Sequence, residues 1–120
     1  MLHDPLTGLP GHALLLDRLD QALIRARTRG TLVSLVLVRV DDGLIDVAHA
    51  LRDGLRADFT VARYQDRTLA VVAEHAFGDG EPVAERIKEL APKAHIHWVT
   101  SDGDTTTDDV LAFAKVPEKG

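Results

Sequence analysis

Apolar and polar positions alternate along the chain with two distinct periods. From His12 to about Arg29, Leu14, Leu15, Leu19, Ala22, Leu23 and Ala26 recur at steps of three and four, with Asp17, Arg18, Asp20, Arg25 and Arg27 between them. That spacing predicts an amphipathic helix, stopped by Gly30. Thr31–Val40 (TLVSLVLVRV) is β-branched and almost wholly apolar, which predicts a strand covered on both faces and ended by Asp41, Asp42 and Gly43. Helical spacing returns through Leu44, Val47, Ala48, Leu51 and Leu55. Thr60–Tyr64 and Thr68–Ala73 then read as two strands, and only Gln65 to Arg67 lie between them, so they form a hairpin. Phe77–Glu81 reads as a loop, Pro82 suits a first helical turn, and Val83–Leu90 is a further amphipathic helix ended by Pro92. Ala94–Thr100 alternates as a strand. Beyond the polar loop Ser101–Thr106, Thr107 is expected to cap a short helix from Asp108 to about Ala114, whose acidic first turn suits the helix dipole. Ahead of all this, residues 1–11 carry Pro5, Gly8, Pro10 and Gly11, a turn-rich lead-in where Asp4 and Thr7 can accept from nearby amides.

In chain order the middle of the sequence is strand, helix, strand, strand, helix, strand. This is the ferredoxin-like βαββαβ arrangement, an α/β (α+β) fold with a central antiparallel sheet flanked by helices and with one extra helix at each terminus. In that topology the first and third strands are central, and SLVLV and LAVV are the most continuously apolar runs of the chain. The whole of residues 1–120 is expected to form a single domain, long enough to bury roughly two thirds of its unfolded surface. Hydrophobic residues at 45% and charged ones at 28% are ordinary for a folded domain and far from a disordered composition.

Charge and composition narrow the functions. A formal net charge of -5 repels phosphate backbones, and no local basic patch offsets it, so nucleic acid is not an expected partner. The absence of cysteine removes disulfides, thiolate metal sites and thiol nucleophiles, and it fits a reducing, cytoplasmic location. The longest apolar run is far short of the ~20 residues that span a bilayer, and no basic region leads into a hydrophobic one at the N-terminus. High Ala, Arg, Asp and Val with little Lys suggests a GC-rich bacterial genome.

Three stretches carry a resemblance. His3-Asp4-Pro5-Leu6-Thr7-Gly8-Leu9-Pro10 ahead of an amphipathic helix resembles the opening signature of GGDEF (diguanylate cyclase) domains. Leu55-Arg56-Ala57-Asp58 and Thr60-Val61-Ala62-Arg63 resemble the segment leading into that family's signature hairpin. Val99, the loop with Gly103, and Thr107-Asp108-Asp109-Val110-Leu111 before Ala114 resemble its closing strand and helix, although the chain lacks the Tyr and basic tail that usually follow. The resemblance covers nearly the whole chain and implies the same βαββαβ core. Since its signature begins at residue 3, no sensory domain is expected ahead of it within this sequence.

The resemblance also implies that the site is degenerate. With Val61-Ala62-Arg63 in register, Gln65, Asp66, Arg67, Thr68 and Leu69 stand where the family has Gly-Gly-Asp-Glu-Phe. The two glycines let the hairpin backbone approach substrate phosphates, and Gln65 and Asp66 put side chains there. Arg67 and Thr68 replace two acidic positions, one of them a metal ligand. At the end of the first core strand the best register gives Arg39-Val40-Asp41, so Arg39 replaces the other metal carboxylate. Magnesium takes hard oxygen ligands, which a guanidinium is not. Only 21 residues separate Asp41 from Arg63, fewer than in the family, so the guanine-recognising loop is absent. Arg56 keeps the arginine of the family's product-inhibition Arg-x-x-Asp, but the acid, Asp58, is one residue early.

These substitutions point to a non-enzymatic module: no catalytic residue, no bound metal, no cofactor, and a regulatory or protein-interaction role in bacterial signalling with a protein partner whose identity the sequence does not give. The alternative is a sensor that binds GTP or cyclic di-GMP without turnover through Arg39, Arg56 or Arg67. A third alternative regroups Asp41, Asp42 and Asp66 as a replacement metal site or an unfamiliar active centre, against the plainer expectation that these aspartates cap strands or pair with Arg39 and Arg67. His95 and His97 share one strand face and could chelate a metal, whereas Trp98 faces the other way and is expected to anchor the core. The leucine stripe of the first helix is expected to pack on the sheet, with homodimerisation through part of it as the alternative.

Overall fold

The computed structural model describes residues 2–117; Met1 and residues 118–120 lie outside that description. Within it the elements are α1 (His12–Arg29), β1 (Leu32–Arg39), α2 (Leu44–Gly54), β2 (Thr60–Gln65), β3 (Thr68–His75), α3 (Glu81–Leu90), β4 (His95–Ser101) and α4 (Thr107–Ala114). The strands form one antiparallel sheet in the order β2-β3-β1-β4, which makes β1 and β3 central as their apolar runs predict.

Side chains alternate across a strand, so β1 serves two cores at once. Val36, Val38 and Val40 point to one side, where α2 and α3 close over them with Ala48, Leu51 and Ile87. Val33, Leu35 and Leu37 point to the other, where α1 and α4 supply Leu15, Leu19, Leu23 and Val110. This double cover is why β1 shows no polar alternation. Each fully buried leucine contributes about 2 kcal/mol of transfer free energy, so Leu15, Leu19 and Leu23 together fasten α1 firmly to the sheet. The stripe is thereby used up by the chain's own core. Ile24 is the large apolar side chain of α1 left more than a third exposed, and Leu15, Leu19 and Leu23 are spent on the chain's own core rather than displayed at the surface. Among the described residues no helix is long and apolar enough to cross a membrane.

Three local expectations are corrected. Gln65 belongs to β2 and pairs with Thr68 across a bulge at Arg63/Gln65, so the hairpin tip is Asp66-Arg67 rather than three residues. Neither tip residue has a positive φ, whereas the tight turns that match strand twist need one; the bulge takes up the mismatch. Trp98 does lie on the opposite side of β4 from His95 and His97, beside Val36, but it remains 37% exposed. It stands on an edge strand, with one ring face over Gly80 and no strand beyond it to cover the rest.

The cap of α4 is the third correction. Thr106, extended at φ -77 and ψ 162, accepts the Asp109 amide at 3.1 Å, while Thr107 is already helical and its buried Oγ1 has no partner. Thr106→Ala is therefore expected to lower stability by about 1 kcal/mol. Thr107→Val, which removes an unsatisfied hydroxyl, is expected to be neutral or stabilising. Urea unfolding of the two variants checks the assignment, and the reverse order of effects would contradict it.

Candidate functional site

The lead-in and the hairpin are tied together through one carboxylate. Asp4 Oδ2 accepts from the Thr7 amide at 2.9 Å and the Thr7 hydroxyl at 2.7 Å, and Oδ1 accepts from Arg63 Nη1 at 2.9 Å. Arg63 Nη2 donates to the Asp66 carbonyl at 2.9 Å, so one guanidinium links the N-terminal turn to the hairpin tip. Pro10 accepts the Arg63 amide at 2.9 Å, and His12 Nδ1 donates to the Tyr64 carbonyl at 2.6 Å while its ring stacks on Tyr64. Partial burial pushes the Asp4 carboxyl up, but the two Thr7 donors and Arg63 outweigh it and hold it below the ordinary carboxylate value. The sequence suggested that Asp4 and Thr7 serve local amides; Arg63, which organises the whole corner, was not singled out, because its partner lies 59 positions away.

Beside this corner, the end of β1 meets the hairpin. Arg39 pairs with Thr68 across the sheet, and the Val40 amide donates to the Arg67 carbonyl at 2.8 Å. Three cationic or donor groups converge on Asp41. Arg39 Nε donates to its Oδ1 at 3.2 Å, His95 Nε2 lies 3.1 Å from its Oδ2, and Arg67 Nη1 donates to its main-chain carbonyl. Burial raises the Asp41 carboxyl and the contacts from Arg39 and His95 outweigh it, leaving the group below its ordinary value. Thr68 and Leu69 are buried, Leu69 in the core beside Val38, and Gln65 is exposed.

The structure thus brings Arg39 and Arg67 together and keeps the aspartates apart. Arg39 pairs with the Asp41 carboxylate as the plainer expectation had it, whereas Arg67 takes the main-chain oxygen instead. Asp66 is almost fully exposed and lies 3.7 Å from Arg63, and Asp42 is exposed. His97 Nδ1 donates to the Lys115 carbonyl, so the two histidines have separate partners. Among the described residues no three acidic or histidine side chains gather in a way that could hold a metal ion.

Arg56 belongs to a different place. It sits before β2, at the end of the sheet away from the hairpin, donating to Asp58 at 3.1 Å and covering the Phe59 ring at 5.3 Å. There it borders an open groove of ≈ 450 Å³ between α2 and α3, walled by Leu55, Phe59, Phe77 and Val83, with Arg86 and His75 as further polar groups. A polar relay braces its floor. His75 Nδ1 donates to the Phe77 carbonyl, which leaves Nε2 to accept from Ser34 Oγ at 2.7 Å, and Thr100 Oγ1 lies 2.9 Å from that same hydroxyl. The groove draws on two stretches of the chain, residues 54–59 and 75–86, and was not foreseen; its one local signal is Phe77, 85% exposed in a loop that also holds Gly78 and Gly80.

No protein-family model matches the sequence, and no curated protein matches it. Solved structures do. The diguanylate cyclase SiaD of Pseudomonas aeruginosa, in complex with its activator SiaC, superposes at TM-score 0.83 with 20% identity over 94% of this chain and 55% of that one. The FimX GGDEF domain of Pseudomonas aeruginosa gives 0.82 with 19% identity over 95% and 89%. The GGDEF domain of DgcB from Caulobacter crescentus, in complex with c-di-GMP, gives 0.81 with 17% identity over 94% and 85%. At such identities the likeness is one of fold: the chain has the fold of GGDEF domains and spans little more than half of the SiaD chain.

Proposed function

We propose that this chain is a catalytically inactive GGDEF-like domain that acts as a regulatory or protein-interaction module in the bacterial cytoplasm. The observation that carries this reading is the placement of Arg39 and Arg67, the positions that the sequence resemblance assigns to acidic metal ligands, on either side of Asp41. Phosphoryl transfer relies on positioning and on metal ions that neutralise developing charge, and a divalent cation gains nothing from a pocket lined by guanidinium groups. Gln65 at the end of β2 and Asp66 at the tip carry side chains at the positions where glycines would let phosphates approach. The complex of SiaD with an activator protein supports a partner-directed role for the fold. Purified protein incubated with GTP and magnesium is expected to yield no cyclic di-GMP by chromatography; product above the protein-free blank would overturn the proposal.

A second reading is favoured by the groove beside Arg56, namely a sensor that binds GTP or cyclic di-GMP without turnover. The bound c-di-GMP of the DgcB domain makes this ligand the one to try first. Titration calorimetry with both nucleotides separates the readings: heat that disappears in Arg56→Ala supports the sensor, and no heat with either nucleotide ends it.

A further inference from the structure

The two edges of the sheet are treated differently. Along β2, the N-terminal segment covers the edge: Pro10 accepts the Arg63 amide, His12 takes the Tyr64 carbonyl, and His3 and Pro10 form a small bridge beside it. Among the described residues β4 has no such cover: its backbone makes no hydrogen bonds outside the pairing with β1, and the segment after α4 meets it only through the His97 side chain on the Lys115 carbonyl. β4 also lacks the usual devices that keep an edge from pairing. Its seven residues, HIHWVTS, contain no Lys, Arg, Asp, Glu or Pro, and its register with β1 runs unbroken by any bulge. The exposed Trp98 stands in the middle of it.

Beside this edge runs α3, and the two enclose a shallow groove of ≈ 240 Å³. Glu81, Ala84, Glu85 and Lys88 line one side of it, and Ile96 and Trp98 the other. Positions 81, 84, 85 and 88 form one helix face with a small residue near the middle, acidic at its N-terminal half and basic at its C-terminal end. Turned through a two-fold axis, that face is its own complement. Glu81 meets Lys88 of the other copy twice over, and Ala84 between them is small and already buried against the chain's own sheet, so it puts no bulk in the way. An axis passing at His97 also sets Ile96 opposite Trp98 of the other copy, an aromatic to β-branched pair on the α3 side, again twice.

We propose that two copies of this chain associate through antiparallel pairing of their β4 edges, continuing the sheet across the interface with the α3 helices side by side. The inference rests on the edge and on α3 alone and is independent of whether any nucleotide is bound or turned over. It places pairing on the far side of the sheet from the N-terminal corner; the Asp41 cluster adjoins the pairing strand through His95, whereas the residues lining the groove at Arg56 lie outside it.

Sedimentation velocity of the intact chain, from low to high micromolar, is the test. The expected species has twice the 13.1 kDa protomer mass. Lys88→Glu, which sets like charges opposite each other twice, is expected to weaken association by about tenfold, and the reciprocal pair Glu81→Lys with Lys88→Glu is expected to restore it. Trp98→Lys, checked for folding by circular dichroism, is expected to be monomeric. A monomer at every concentration, a dimer indifferent to Lys88→Glu, or a double variant that fails to recover would each overturn the proposal.

Discussion

Gly103→Ala is expected to lower the stability of the fold by about 3–5 kcal/mol, the sum of left-handed backbone strain and overpacking against a neighbour that cannot yield. Gly103 has φ +96, a conformation that L side chains rarely adopt, and a Cβ there would stand 2.5 Å from both the Arg27 amide nitrogen and the Leu23 carbonyl oxygen. Those atoms belong to the backbone of α1, itself locked by Leu19 and Leu23, so the loop after β4 would have to lift away. In lifting it would give up the Gly103 amide's bond to Ser101 Oγ and the contact of that hydroxyl with Thr105. Since natural domains are stable by roughly 5–15 kcal/mol, such a loss brings the chain close to unfolding. Gly8→Ala is the matched control, with φ +75 but open space around the new methyl, and is expected to cost only about 1 kcal/mol. Urea unfolding followed by circular dichroism measures both, and a Gly103 variant no worse than the Gly8 variant would refute the packing account.

Asp4→Asn is expected to cost about 2–3 kcal/mol and to change the shape of the pH–stability curve. The amide keeps the volume but leaves Arg63, whose side chain is 20% exposed, without its carboxylate. In the folded chain the Asp4 carboxyl lies below its ordinary value, so the sign is fixed. Its contribution is complete above the unfolded carboxyl value of ~3.9 and drains away as the pH falls through the lower folded value. The asparagine variant has no such contribution to lose. The gap between wild type and variant should therefore be full near neutrality and should narrow as the pH falls below the ordinary carboxyl range. A gap of constant width would show that the bond to Arg63 matters by its shape and not by its charge.

Much of this architecture is legible in the residues. The unbroken apolar run of β1 announces burial on two faces, the three- and four-residue steps of Leu15, Leu19 and Leu23 announce α1, and the shortness of the segment after Tyr64 announces the hairpin. These are local patterns whose period is imposed by backbone geometry. What escaped is of two kinds. One is fine register: whether Thr106 or Thr107 takes the cap, and whether Gln65 is turn or strand, depend on a single residue's dihedral angles, which hydrophobic spacing does not fix. The other is convergence. Arg63 on Asp4, His95 on Asp41, and the groove formed by Phe59, Phe77 and Val83 arise from contacts between distant segments, and each residue alone has an ordinary sequence context. The candidate site was accordingly half visible: Arg39 and Arg67 were seen to be neighbours through the topology, but their common partner turned out to be one aspartate together with a histidine from the opposite edge.

The hairpin tip has one more consequence. Neither Asp66 nor Arg67 has a positive φ, so the turn demands no glycine, and the irregularity it requires is carried by the strand before it. A tip of that kind places no conformational brake on sequence drift. Substitutions at its two positions meet no filter from backbone strain, only the loss of the Arg67 bond to the Asp41 carbonyl, which lets the chemistry displayed there diverge while the framework underneath stays the same.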